Sequence, residues 1–203
     1  MTYFDIFRRR NVIGGEIGYR ELAVWWETAF TDEERKRILE MFRPLGGGEN
    51  PLLQGTITKS SMSTLSFLSN LSGWFEKDSD RHIGYKILAK AEQLVPASLS
   101  VLDKHFFFQA KIETHYRDRK DPHHLAEAEH ACREQIAIAG PAAAEFARES
   151  SGPLPEHYGY KQLTIILENR GAVTEAAEVS RRAQSEGWAG DWTQRLKRYI
   201  RLL

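Results

Sequence analysis

The sequence predicts an all-α fold. Apolar residues recur at helical spacing through most of the chain, helix starts and stops punctuate it, and no long run alternates apolar with polar residues as a half-buried strand would. At 203 residues it is long enough to bury a core, and 41% hydrophobic with 28% charged residues is ordinary globular composition. Lys plus Arg equals Asp plus Glu at 28 each, so no global field favours nucleic acid. One cysteine, Cys132, excludes an intramolecular disulfide and any Cys-rich metal cluster and fits a reducing compartment. No stretch approaches ~18 consecutive apolar residues, and the basic run Arg8–Arg10 follows the apolar Phe4, Ile6 and Phe7, the wrong order for a secretory signal. A cytoplasmic protein is expected.

Taken in order, residues 1–19 read as a frayed or docked terminus, with Gly14, Gly15 and Gly18 marking a flexible lead-in. Tyr19 to Phe30 carries Leu22, Val24, Trp25 and Trp26. The Trp pair is expected in a core, because aromatics dominate buried area. Thr31, with Glu34 three residues on, predicts a capping box, and Ile38, Leu39, Met41 and Phe42 the buried face of the helix that follows. Gly46–Pro51 reads as a linker, dividing an N-terminal helical cap (1–50) from the rest (51–203). Thr58-Lys59-Ser60 ends like a phosphate loop but lacks its glycines.

Helices follow over about Ser60–Lys77, with Leu65, Leu68, Leu71 and Phe75 on one side, and from Asp80 to Val95, where Pro96 stops the chain. A longer one spans about Ser98–Arg119. Its His105-Phe106-Phe107-Phe108 is apolar on several faces and predicts the most buried helix. Asp121-Pro122 opens another, Gly140-Pro141 ends it, an Ala-rich piece runs to Glu149, and 150–155 is read as a loop.

The stretch Tyr158–Trp188 reads as a helical hairpin. Tyr160, Leu163, Ile166 and Leu167 line its first helix, Gly171 makes the turn, Thr174 is the expected N-cap, and Ala176, Ala177, Val179 and Ala183 leave a narrow face for close approach. A last helix capped by Asp191 lines Trp192, Leu196, Ile200 and Leu203 on one face, leaving Arg195, Lys197, Arg198 and Arg201 in water.

Tyr160, Leu163, Thr164, Leu167, Ala176, Ser180 and Trp188, with Gly171 and Ala183, resemble the tetratricopeptide repeat signature. Leu68, Leu71, Ser72, Phe75, Gly84, Leu88, Ala91 and Pro96 follow the same spacing, and Ala128, Cys132 and Pro141 match its second half. The resemblance implies a superhelix of about three helical hairpins between the N-terminal cap and a C-terminal capping helix. It also implies a non-catalytic adaptor or regulator that takes a protein or extended peptide on its concave face, at Ser69, Asn70, Lys161, Gln162, Ile165 and Asn169. The carboxylate-clamping subclass is disfavoured, since Ser69, Gly73, Tyr158 and Gln162 stand at its polar and basic positions.

Two other classes stay open. His123, Glu127 and His130 share a helical face that could hold a divalent metal, although a solvated face is the commoner outcome, and an enzyme could use the histidine-bearing helices. Self-assembly as a homodimer could bury Trp25, Trp26 or the last helix. No cofactor motif is present, and the basic C-terminal face lacks the charge excess of a nucleic-acid binder.

Overall fold

The computed structural model describes residues 13–46 and 48–202, and these are mostly helical. The expectation at Phe4–Arg10 lies outside them. The described chain forms two compact units, divided between Thr64 and Leu65.

The first unit holds α1 (Gly15–Tyr19), α2 (Ala23–Ala29) and α3 (Asp32–Met41). Within the apolar segment that starts at Tyr19, Glu21 takes a left-handed φ of 57° and separates α1 from α2. The glycines before it are no flexible lead-in. The N–H groups of Gly14, Gly15, Glu16 and Ile17 donate to the carbonyls of Leu53, Gly55, Pro51 and Leu52 at 2.9–3.0 Å, which satisfies the orphan donors that a helix start leaves. A side chain at Gly15 would begin 2.5 Å from the Pro51 carbonyl oxygen, so the approach requires glycine. The same hydrogen bonds place Pro51–Gly55 in the N-terminal unit, correcting the division expected at residue 50. Ile17, Trp26, Phe30, Ile38 and Leu52 are its buried core, with Trp25 half-buried and edge-on to Phe30. The capping box at Thr31 and Glu34 forms as read, and the Arg35 guanidinium donates to the Glu27 and Phe30 carbonyls at the end of α2.

The second unit comprises α4 (Thr64–Ser72), α5 (Arg81–Glu92), α6 (Val101–Arg117), α7 (Pro122–Ala137), α8 (Ala139–Glu149), α9 (Tyr158–Asn169), α10 (Val173–Ser185) and α11 (Trp192–Ile200). α4 is shorter at both ends than expected. Its Ser69 and Ser72 are buried, their hydroxyls donating back to the carbonyls of Leu65 and Ser69. Short turns join α6 to α7 and α9 to α10, and each pair packs as a hairpin, with α7 and α9 in contact and α11 on α10. Asp121 caps α7 with Pro122 in its first turn, and Gly171 takes φ 78° between α9 and α10, both as read.

Four readings need correction. The most buried helix is α4, with six of its nine residues inside, followed by α9 with seven of 12, against seven of 17 in α6, where Phe106 turns outward. The N-cap of α10 is Ala172, with no side-chain cap, rather than Thr174. Residues 154–156 are no loop but β1 (Leu154–Glu156), which pairs in parallel with β2 (Trp188–Ala189). Finally, α11 buries Trp192, Arg195 and Tyr199, leaving Ile200 75% exposed. The face is turned because the Arg195 guanidinium and Tyr199 hydroxyl lie toward Glu168 of α9, and Asp191 binds Arg195 at 2.6 Å rather than capping the helix.

One buried amide joins three helices. Gln135 of α7 donates from Nε2 to the His105 carbonyl of α6 and accepts the Gly159 N–H of α9 at Oε1, at 2.8 and 2.6 Å. A side chain at Gly159 would start 2.7 Å from that oxygen, so glycine sets the closeness of α7 and α9 here.

Candidate partner-binding cleft

A cleft of about 380 Å³ opens where the end of α6, the turn after it, α7 and α9 meet. Leu125 and Ile166 give it apolar walls, Tyr116 adds an aromatic edge, and Arg119, Asn169 and Arg170 bring polar groups to it. Helix registers decide this set. Tyr116 lies in the last turn of α6, Leu125 in the first of α7, and Ile166 and Asn169 are one turn apart on α9. Arg119 sits over the Tyr116 ring, 4.7 Å from its centroid, and donates to the Tyr116 carbonyl. Among the described residues it has no carboxylate partner. Arg170, by contrast, is paired with Glu129, which also takes Arg133.

The six residues expected to line a concave groove separate. Ser69 and Gln162 are buried and withdrawn from any surface, Ser69 because its hydroxyl is spent on its own helix. Lys161 pairs with Glu156 at 2.8 Å, Ile165 is half-buried, and Asn70 is exposed on α4. Asn169 alone belongs to the cleft. The residues missed were Tyr116, Arg119, Leu125, Ile166 and Arg170, which the sequence places in separate segments. Only the packing of the α6–α7 hairpin on α9 brings them together. The cleft thereby carries two arginines that the expected set lacked.

The histidines also regroup. His123 and His130 are exposed, and Glu127 turns to Lys111 at 2.9 Å. Among the described residues no three His, Cys, Asp or Glu side chains are placed to hold a metal ion. Instead His124 meets His115 of α6, Nδ1 to Nδ1 at 3.0 Å, and Tyr85 of α5 stacks on His124 with ring centroids 4.5 Å apart. Lys111 is buried between Glu92 and Glu127. Burial works against its charge, but the two carboxylates more than offset that and leave its pKa raised, while the Lys111 hydrogen bond leads in lowering that of Glu127. Burial, with Lys111 nearby, lowers His115 to about 4.

A second histidine pair is sealed in the core. His105 and His157 stand edge to face, centroids 5.0 Å apart, against Trp188. His157 caps α9 by accepting the Tyr160 N–H at Nδ1, which leaves its proton on Nε2. Burial lowers His105 to about 4 and, with His105 beside it, His157 to about 3. The buried Cys132 thiol is pushed up by burial, which disfavours the nucleophilic thiolate.

No protein-family model, curated protein or solved structure gives a significant match to this chain. Among the described residues no helix is long and apolar enough to cross a membrane.

Proposed function

We propose that this protein is a cytoplasmic, non-catalytic recognition module, an adaptor or regulator that takes an extended acidic peptide segment in the cleft between the α6–α7 hairpin and α9. One observation carries the reading. The Arg119 guanidinium lies at an apolar-walled cleft, held against Tyr116 and, among the described residues, without a carboxylate of its own. A planar, always-charged fork so placed suits a carboxylate, and the Leu125–Ile166 walls suit an apolar side chain beside it. Asn169 can donate to and accept from an extended backbone. In this reading α4 and α5, then the hairpins α6/α7 and α9/α10, form a divergent tetratricopeptide-like array capped by α11. The inserted α8 and the β1–β2 pair are departures from a regular repeat.

Selection of displayed peptides on the full chain tests it. Sequences combining Asp or Glu with a neighbouring Leu, Ile or Phe should be enriched. Arg119→Glu should weaken their binding by about tenfold or more, consistent with about 1.5–3 kcal/mol for a hydrogen bond to a charged group. Enrichment of basic peptides, or binding indifferent to Arg119→Glu, would overturn the reading.

Self-association through α11 is a second reading, favoured by the outward Ile200 and Leu202, 75% and 63% exposed. Trp26 is buried in its own unit and so does not serve it. Sedimentation of the chain and of Ile200→Glu decides: a dimer that the variant splits supports it, and a monomer in both cases removes it.

A further inference from the structure

The His115–His124 contact lies in the same second unit as the cleft but plays no part in the proposed recognition. Its geometry suits a shared proton. The ring centroids are 5.2 Å apart, nearly the 3.0 Å between the Nδ1 atoms plus the two ring radii, so both nitrogens lie close to the line joining the rings. That is the arrangement of an N–H donor facing a lone pair; two lone pairs converging on a common ion would draw the rings closer. One ring must therefore carry its Nδ1 proton while the other does not.

We propose that the His115–His124 pair is a one-proton latch that holds α6 and α7 together at the tip of their hairpin, beside α5, and opens that tip when both Nδ1 atoms carry protons. The groups facing the pair agree. From α5, Tyr85 covers both rings, with centroids 4.5 Å from His124 and 4.8 Å from His115. Its hydroxyl donates to Asp118, just past α6, and Arg81 of α5 holds the same carboxylate, so the latch and the α5 contact share one network. Lys111 of α6 adds positive charge beside His115, offset in part by Glu92 of α5 and Glu127 of α7, and the His123 ring lies tilted 5.4 Å from that of His124. His115 is buried and resists protonation, so it supplies the lone pair and His124 the proton. A second proton would set two N–H donors against each other with no acceptor between them. The Tyr85 ring still accepts a cation on its face, so His124 stays stacked and the break falls between the histidines.

Amide hydrogen exchange on the full chain, with ¹⁵N spectra of its histidines, tests the latch. From about pH 7.5 to about pH 4, corrected for intrinsic rates, protection of residues 117–124 should fall about tenfold further than that of α10. That extra acid step should vanish in His124→Gln, which hydrogen-bonds without titrating in this range, and in His124→Phe, which keeps the stack on Tyr85 without ring nitrogens. Should one variant fail to fold, the other carries the test. Protection that tracks α10 at every pH overturns the latch, as does an acid step surviving in a folded variant. Spectra showing both Nδ1 atoms bare at neutral pH overturn it too, because no proton is then shared.

Discussion

At Arg195 residue type and burial part company. Periodicity of apolar residues turns α11 toward Leu196 and Ile200, yet the structure buries Arg195 at 8% exposure, bound to Asp191 and beside Glu168. A carboxylate on α9 that draws Tyr199, Arg195 and Arg198 is worth more to the helix than one more aliphatic contact, and its place in space is absent from any local pattern. Arg195→Ala should therefore destabilise the protein by about 1–3 kcal/mol, since it strips a partner from Asp191 and from the half-buried Glu168 and leaves a gap. Ile200→Ala should stay within about 0.5 kcal/mol. Urea denaturation of both variants checks the order, and a larger loss at Ile200 would restore the sequence-based face. Gln135 and Gly159 were equally silent in the sequence, because a buried amide linking three helices has no signature beyond its own residue type.

Among elements, hairpins were the legible level. Gly171 after a periodic run, Asp121-Pro122 before one and the alanine face of α10 each state a local rule that packing then obeys. What was lost lies between elements: the β1–β2 pair, too short for an alternating pattern, and the docking of Pro51–Gly55 on α1, whose hydrogen bonds join backbone groups. Glycine is the trace of the close approaches at α1 and between α7 and α9, and it reads equally well as looseness. The distinction can be measured. Gly159→Ala should cost about 1–3 kcal/mol by forcing α7 and α9 apart. Gly15→Ala, strained at φ 56° and against the Pro51 carbonyl, should destabilise the N-terminal unit, seen as faster exchange of the Gly14–Ile17 amides. Gly46→Ala, with nothing near its would-be side chain but also at positive φ, should cost only about 1 kcal/mol. Comparable exchange rates in the Gly15 variant and the parent chain would show the docking to be slack.

For the whole molecule, the three buried histidines set the response to acid. His105, His115 and His157 titrate at about 4, 4 and 3 when folded, well below the ~6.5 of a free imidazole. Unfolding thus takes up protons that the folded chain refuses. Their contribution is complete above about pH 6.5 and is lost as pH falls from there toward the folded values, at up to ~1.4 kcal/mol per pH unit for each histidine. Glu127, held low by Lys111, adds loss in the same direction further down. Urea midpoints should fall steeply between about pH 6 and pH 4, and a flat profile there would mean that these rings are not neutral inside. The fold class and the hairpins were legible at this scale. The cleft was legible only at Asn169, since its other walls come from segments whose meeting depends on how α6, α7 and α9 pack.

The most direct test of the recognition reading is a charge swap across the cleft. Affinities of the best selected peptide and its Asp/Glu→Arg counterpart would be measured against the parent chain and Arg119→Glu. The acidic peptide should lose about tenfold or more on Arg119→Glu, and the reversed peptide should regain at least part of that loss on the variant alone. Equal affinities in all four combinations would contradict a carboxylate seated on Arg119, and with it the cleft between the α6–α7 hairpin and α9 as the recognition site.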